Sequence, residues 1–267
     1  MGFGCNAAGV VGCRIIDSER ERLLAVITNS LVPCNGRFPT LISIITMFFI
    51  GTQTKTLTSL TSALFLTALI LAGIGFTFLS TFILSKTVLK GVPSSFTLEL
   101  PPYRKPQIGK VIVRSVFDRT LFVLGRAAAV AAPAGIIIYL AANITVGDAS
   151  ILKICSDFLD PFARLMGLDG VILIAFILGF PANEIVIPIV IMAYTASGVL
   201  SDTGNLTAVK ELFVSNGWNM TTAMCTMIFS LFHWPCSTTV LTIKKETQSI
   251  KWTVISVLLP TLLGILC

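Results

Sequence analysis

The chain has 267 residues, 54% of them hydrophobic and only 12% charged, with a formal net charge of +6. That charged fraction is about half of what an ordinary soluble domain carries, which excludes such a domain and indicates a membrane chain. Seven scattered cysteines (5, 13, 34, 155, 225, 236, 267) without zinc-finger spacing argue against a disulfide scaffold, and Cys155, Cys225 and Cys267 read as small hydrophobes.

The first 22 residues have no basic start followed by a long apolar core, so they are not a secretory signal. Asn6 stands where myristoylation needs Ser or Thr. After "DSERERL" comes a span over 33–51, interrupted near its start by "PCNGRF", and then a charge-free run over 56–85. Charge-free runs also cover 127–147 and 212–243, each long enough for the roughly 20 residues that cross a bilayer core.

Between Lys86 and Arg126 stand eight basic residues and two acids, so the positive-inside rule puts this segment in the cytoplasm. Within it, 104–118 reads as an amphipathic interfacial helix with Ile108, Val111, Ile112 and Val116 on one stripe. The segment 143–170 carries Asp148, Asp157, Asp160 and Asp169 against Lys153 and Arg164 and belongs on the far side. "KKETQSIK" at 244–251 reads as cytoplasmic. With 58–85 and 219–243 running inward and 33–51 and 119–142 running outward, 168–198 must enter and leave on the outer side as a re-entrant element. Gly179, Pro181 and Pro188 near its middle weaken helical hydrogen bonding, and non-helical backbone at membrane depth survives only inside protein or along a wet cavity.

The two halves share a pattern. "GFGCN" (2–6) precedes "PCNGRFPTL" (33–41), and "GFPAN" (179–183) precedes "WPCSTTVLT" (234–242). Charged flanks precede the first Pro-Cys helix and follow the second, as in an inverted repeat whose substrate site lies between broken helices. Proline frees backbone carbonyls, and thiols beside amide or hydroxyl oxygens suit iron, zinc or copper(I) better than magnesium or calcium. Cys34 and Cys236 are therefore candidate metal-path residues, with Cys5 beside them.

Glu184, the only charge between Gly170 and Ser201, is either an intramembrane site acid or a surface residue in the headgroups. His233 stands three residues before Cys236, a spacing that would put both on one helical face as ligands; the alternative is a packed, hydrogen-bonded histidine. Asn6, Asn35 and Asn183 either line the site or cap half-helices. Arg37 could pair with an acid or reach the phosphate layer. No HExxH, GxSxG or GxxxxGK[ST] pattern occurs, which excludes zincin, serine-hydrolase and P-loop chemistry in these residues.

At "GFGCNAAGVVGCRIIDSERERLLAVITNSLVPCNGRF", "LDPFARLMGLDGVILIAFILGFPANEIVIPIV" and "HWPCSTTVLTIKKET" the sequence resembles the membrane part of the ferrous iron transport protein B (FeoB) family. The likeness runs along nearly the whole chain. It implies an all-α, polytopic helical bundle in the bacterial inner membrane, with two gate repeats, broken re-entrant helices and an interfacial helix. The expected divisions are 1–52 (remainder of the first gate repeat), 53–103 (transmembrane hairpin partner and cytoplasmic connection), 104–147 (interfacial and transmembrane helices), 148–245 (second gate repeat) and 246–267 (C-terminal helix).

The resemblance further implies Fe(II) as the substrate and no enzymatic activity in the chain itself. GTP and Mg would bind only through an N-terminal G domain, supplied with the early membrane helices in cis or from a split gene. Small cytoplasmic Feo partners and a homo-oligomer are compatible with it; nucleic acid is not. Cys34 and Cys236 match the family's gate cysteines and Glu184 the acid of its second gate. Ala-Ala follows "GFGCN" where the family usually has an apolar residue and proline, so a softer first break is expected. The chain opens inside the first gate, which marks it as a portion, a split-gene product or a degenerate copy. A gate-type nucleoside or organic-solute carrier and a non-transporting assembly subunit are the competing readings.

Overall fold

The computed structural model describes residues 2–50, 55–91, 109, 113, 122–146, 149–195 and 206–267. Among them the fold is α-helical, with one two-residue antiparallel ladder pairing β1 (Thr145–Val146) with β2 (Ala149–Ser150). The proposed interfacial helix at 104–118 and most of the basic segment lie outside the described residues.

The first half contains α1 (Asn6–Gly12), α2 (Glu19–Thr28), α3 (Phe38–Ile44), which continues as a π-helical run over Ile45–Ile50, and α4 (Lys55–Thr87). Then come α5 (Phe122–Asn143), α6 (Ile151–Leu165), α7 (Gly170–Leu178), α8 (Val186–Thr195) and α9 (Leu206–Ser215), followed by α10 (Met220–Phe232), α11 (Ser237–Thr247) and α12 (Ile250–Leu266).

Local chemistry sets these limits. Ser18, Ser150, Asp169 and Asn219 each accept a first-turn backbone N–H and open α2, α6, α7 and α10. Ser18 with Glu21 forms the sequence pattern of a capping box, and Glu19 and Glu21 suit the positive end of the α2 dipole. Gly167 at φ +69° turns the chain between α6 and α7, and the two helices meet at 107°. Proline lacks an N–H and forces the residue before it out of the helical region. Pro33 and Pro235 accordingly stand in non-helical segments, and the expected run over 219–243 is two helices rather than one.

The main core surrounds the α7–α8 pair. Ile172, Phe176, Ile189 and Met192 are buried there with Leu41 and Ile44 of α3 and Met227 and Phe229 of α10. The start of α7 and the end of α8 come together: the Tyr194 hydroxyl donates to Asp169 Oδ2 and accepts from Trp218 Nε1 at 2.8 Å. The chain therefore doubles back at 179–185.

The outer helices have the opposite character, with Leu64, Leu71, Phe78 and Phe82 of α4 and Leu258 and Leu262 of α12 exposed. Exposed apolar faces of this kind are rare on soluble monomers and match a lipid-facing surface. Among the described residues, Leu60–Thr87 is the one single helix long and apolar enough to cross a membrane, and the bent α6–α7 pair passes the same criterion only when taken together.

Candidate functional site at the two broken repeats

Each Pro-Cys break is tied to a Gly-Phe-x-x-Asn break by one backbone hydrogen bond. Asn35 N–H, directly after Cys34, donates to the Gly4 carbonyl at 3.3 Å; Ser237 N–H, directly after Cys236, donates to the Phe180 carbonyl at 2.9 Å. In both halves the residue after the cysteine thus hydrogen-bonds to the backbone of a Gly-Phe-x-x-Asn segment.

Both motif asparagines are buried, with different partners. Asn6 is buried, and its carboxamide nitrogen, turned as its surroundings require, donates to the carbonyls of Gly2 at 3.0 Å and Val32 at 3.3 Å, just before Pro33. Asn183 is also buried, and its carboxamide faces His233 Nε2 at 3.4 Å, just before the second Pro-Cys pair. A carbonyl can only accept, so the 2.9 Å contact of His233 Nδ1 with Ser230 O puts the proton on Nδ1. In the neutral ring Nε2 is then an acceptor, so it pairs with Asn183 only when the carboxamide turns its nitrogen, rather than Oδ1, toward the ring.

Glycines make these approaches close. A Cβ on Gly9 would lie 2.4 Å from Asn29 Oδ1, and Asn29 Nδ2 donates to the Asn6 carbonyl at 2.8 Å. Gly36 stands between the halves: a Cβ there would lie 3.9 Å from both Cys34 Sγ and Asn183 Cβ. The first Pro-Cys break therefore abuts the second Gly-Phe-x-x-Asn break.

Arg37 joins the halves. It is fully buried, with Nη1 donating to Ser30 O (3.1 Å) and Leu231 O (2.8 Å), and Nη2 to His233 O (2.9 Å) and Trp234 O (3.4 Å). It neither pairs with an acid nor reaches a headgroup layer, so both sequence-based expectations for it are corrected. Its acceptors are carbonyls left free where α2 and α10 end, at the negative ends of two helix dipoles. The Arg37 backbone N–H donates to the Cys34 carbonyl at 2.9 Å. The sequence signal for Arg37 was its isolation as the only charge between Arg22 and Lys55.

The candidate residues divide into two sets. Cys34, Asn6, Asn183 and His233 are buried and Cys236 is half-buried, its Sγ 3.2 Å from Thr239 Oγ1. Cys5, Asn35 and Glu184 are exposed. His233 and Cys236 do not share a helical face, because His233 ends α10 and Cys236 begins α11 with extended backbone between them. Among the described residues no group of three His, Cys, Asp or Glu side chains is close enough to hold a metal ion.

The sequence pattern placed a hydroxyl beside Cys236 but did not point to Ser30 or Thr40. Ser30 Oγ, Thr40 Oγ1 and Ser237 Oγ, with Arg37 Nε, are the buried side-chain polar atoms without a hydrogen-bond partner among the described residues. All four lie on the segments flanking the two Pro-Cys breaks, where unsatisfied oxygen lone pairs are costly unless a cation or water meets them.

Two family models match the chain: the ferrous iron transport protein B C terminus over residues 66–119, and Gate, described as nucleoside recognition, over 121–250. The chain is similar to proteins called Fe(2+) transporter FeoB. The one from Staphylococcus aureus (strain MSSA476) is 28% identical, covering 97% of this chain and 37% of that protein. For Leptospira interrogans (strain Fiocruz L1-130) the values are 25%, 93% and 38%, and for Methanocaldococcus jannaschii 26%, 96% and 38%. The chain thus spans less than two fifths of the length of these curated relatives. No solved structure gives a significant match.

Proposed function

We infer the function from one premise, supplied by the two family matches and by relatives that cover nearly all of the chain: the chain belongs to the ferrous iron transport protein B family, as a C-terminal membrane portion of it. On that premise it carries Fe(II) across the bacterial inner membrane as part of a longer transporter, along a path between the two broken repeats. GTP binding, small cytoplasmic partners and any oligomer contacts belong to the complete assembly. The basic segment over 86–126 faces the cytoplasm and the α7–α8 hairpin is re-entrant from outside.

The observation that carries this reading is the placement of Cys34 against the Asn183 break across Gly36, which brings a thiol of one half to the interrupted helix of the other. Sulfur, free hydroxyls and helix-end carbonyls can replace part of the hydration shell of a borderline divalent cation. Conduction needs binding weak enough to release. Glu184, being exposed, serves in this reading as an approach residue rather than a buried ligand.

The test is uptake of radiolabelled ferrous iron under reducing conditions, with the chain assembled alongside the N-terminal segments its relatives carry. Cys34→Ser and Cys236→Ser should each lower the rate by tenfold or more; uptake unchanged in both would refute the path. The Gate match, with its nucleoside-recognition description, favours one second reading, an organic-solute carrier. Under that reading the serine variants leave nucleoside uptake intact and wild-type iron uptake is absent.

A further inference from the structure

Arg37 is fully buried, its four acceptors are all backbone carbonyls, and no carboxylate is among them. Ser30 O belongs to the first half; Leu231, His233 and Trp234 carbonyls belong to the second. A buried ionic group without a counter-ion is ordinarily prohibitive. Here the compensation comes from oxygens at two helix C-termini, where the backbone dipoles favour positive charge. The planar fork of the guanidinium places four N–H donors at once, which a point-like ammonium cannot do.

We propose that the ends of α2 and α10 form a cation cage built from both repeats, and that the Arg37 guanidinium is its tethered occupant, a latch fixing the two Pro-Cys breaks to each other. Two consequences follow. The halves cannot part at this depth without stranding guanidinium N–H groups, so the motion that admits and releases substrate occurs elsewhere, and Arg37 is a positioning residue for Cys34 and Cys236. The cage also has a ligand class of its own: without the arginine side chain it accepts a free planar cation of the same shape. The cage is independent of the iron reading; the effect of the latch on uptake rests on that reading.

The experiment compares wild type, Arg37→Ala, Arg37→Lys and Arg37→Met in detergent by thermal unfolding. The Arg37→Ala midpoint should fall by about 10 °C and recover in a saturable way with tens of millimolar guanidinium, below denaturing concentrations. Urea, which has the same shape without charge, should restore nothing, and guanidinium should leave wild type unshifted. Equal rescue by urea, or none by guanidinium, overturns the cage. Should Arg37→Ala fail to fold, the other pair decides: Arg37→Lys more stable than Arg37→Met supports a cation site, and the reverse order overturns it.

In the assembled transporter, guanidinium should restore iron uptake to Arg37→Ala. Restored stability without restored uptake overturns the latch, whereas absence of uptake in wild type itself counts against the iron reading and leaves the cage result standing.

Discussion

The Tyr194 hydroxyl donates to Asp169 across 25 residues of sequence, joining the end of one helix to the start of the helix before it. Asp169 Oδ1 simultaneously caps α7 through Ile172 N–H at 2.6 Å, and Trp218 Nε1 donates to the same tyrosine. One small polar network thereby closes the base of the α7–α8 hairpin and pins it to the start of α10. Tyr194→Phe leaves Trp218 Nε1 without its acceptor and should cost roughly 1–3 kcal/mol. The check is hydrogen exchange, with faster exchange expected in Gly170–Leu178 and Val186–Thr195 and little change in α12.

Three glycines should respond very differently to alanine. A Cβ on Gly170 would lie 2.0 Å from Ser156 O and 3.0 Å from Asp160 N, both backbone atoms that cannot move aside. Gly170→Ala should therefore be severely destabilising, by more than about 3 kcal/mol. Gly75 has nothing within 4 Å, so Gly75→Ala should be neutral or stabilising by roughly 0.5–1 kcal/mol. A Cβ on Gly73 would lie 3.2 Å from Leu31 O and Pro33 Cδ, and Gly73→Ala should push α4 off the first Pro-Cys break. Expected is near-normal stability with reduced transport, read from thermal unfolding and uptake on the same preparations.

Arg14 and Glu246 form a two-pronged ion pair at 2.6 and 2.7 Å that fastens the first half to the end of α11. The Arg14 side chain is 63% exposed, so solvent and salt screen the attraction strongly. Glu246→Gln should lower the unfolding midpoint slightly at low ionic strength. At about 1 M salt, where the screening length is about 3 Å, wild type and variant should coincide.

Burial pushes the Cys13 thiol above its ordinary range, and the negative charge of Glu246 pushes it further. A raised thiol pKa means less thiolate at any given pH, and thiolate is the reactive form. In a variant keeping only Cys13, the iodoacetamide rate should go on rising with pH beyond roughly 8.5, where free cysteine begins to level off. Glu246→Gln removes the second cause, so its rate profile should move to lower pH. A wild-type profile that levels off like free cysteine would contradict the burial assigned to this thiol.

The broken-helix architecture was legible in part, because it rests on residues with strong backbone preferences. Pro33, Pro235 and Gly179 stand at interruptions, whereas Pro133, Pro161 and Pro260 lie inside helices, so proline alone did not place the breaks. Composition also foretold the apolar exterior. The sequence could not reveal which polar groups face inward.

Glu184 and Cys5 looked equivalent to Asn183 and Cys34 in their motifs, yet the first two are exposed and the last two buried. All four stand in the turns and extended segments beside the breaks, outside α1, α3 and α8, so no helical periodicity assigns them a face. The proposed sharing of a face by His233 and Cys236 failed because helical spacing applies only within a helix, and Pro235 lies between them. Arg37 was visible as a lone charge, but its acceptors are main-chain carbonyls from distant helix ends, and nothing in a side-chain pattern announces those.

The bonds of Arg37 also dictate an order of assembly. Three of its four acceptors lie 194, 196 and 197 residues further along the chain, so during synthesis the ribosome has long passed "PCNGRF" before Leu231, His233 and Trp234 exist. A lone arginine facing acyl chains is costly, so α3 cannot settle into its final depth when first made. The bonds that join the two halves here can form only after α10 has been made, which puts this docking late in biogenesis.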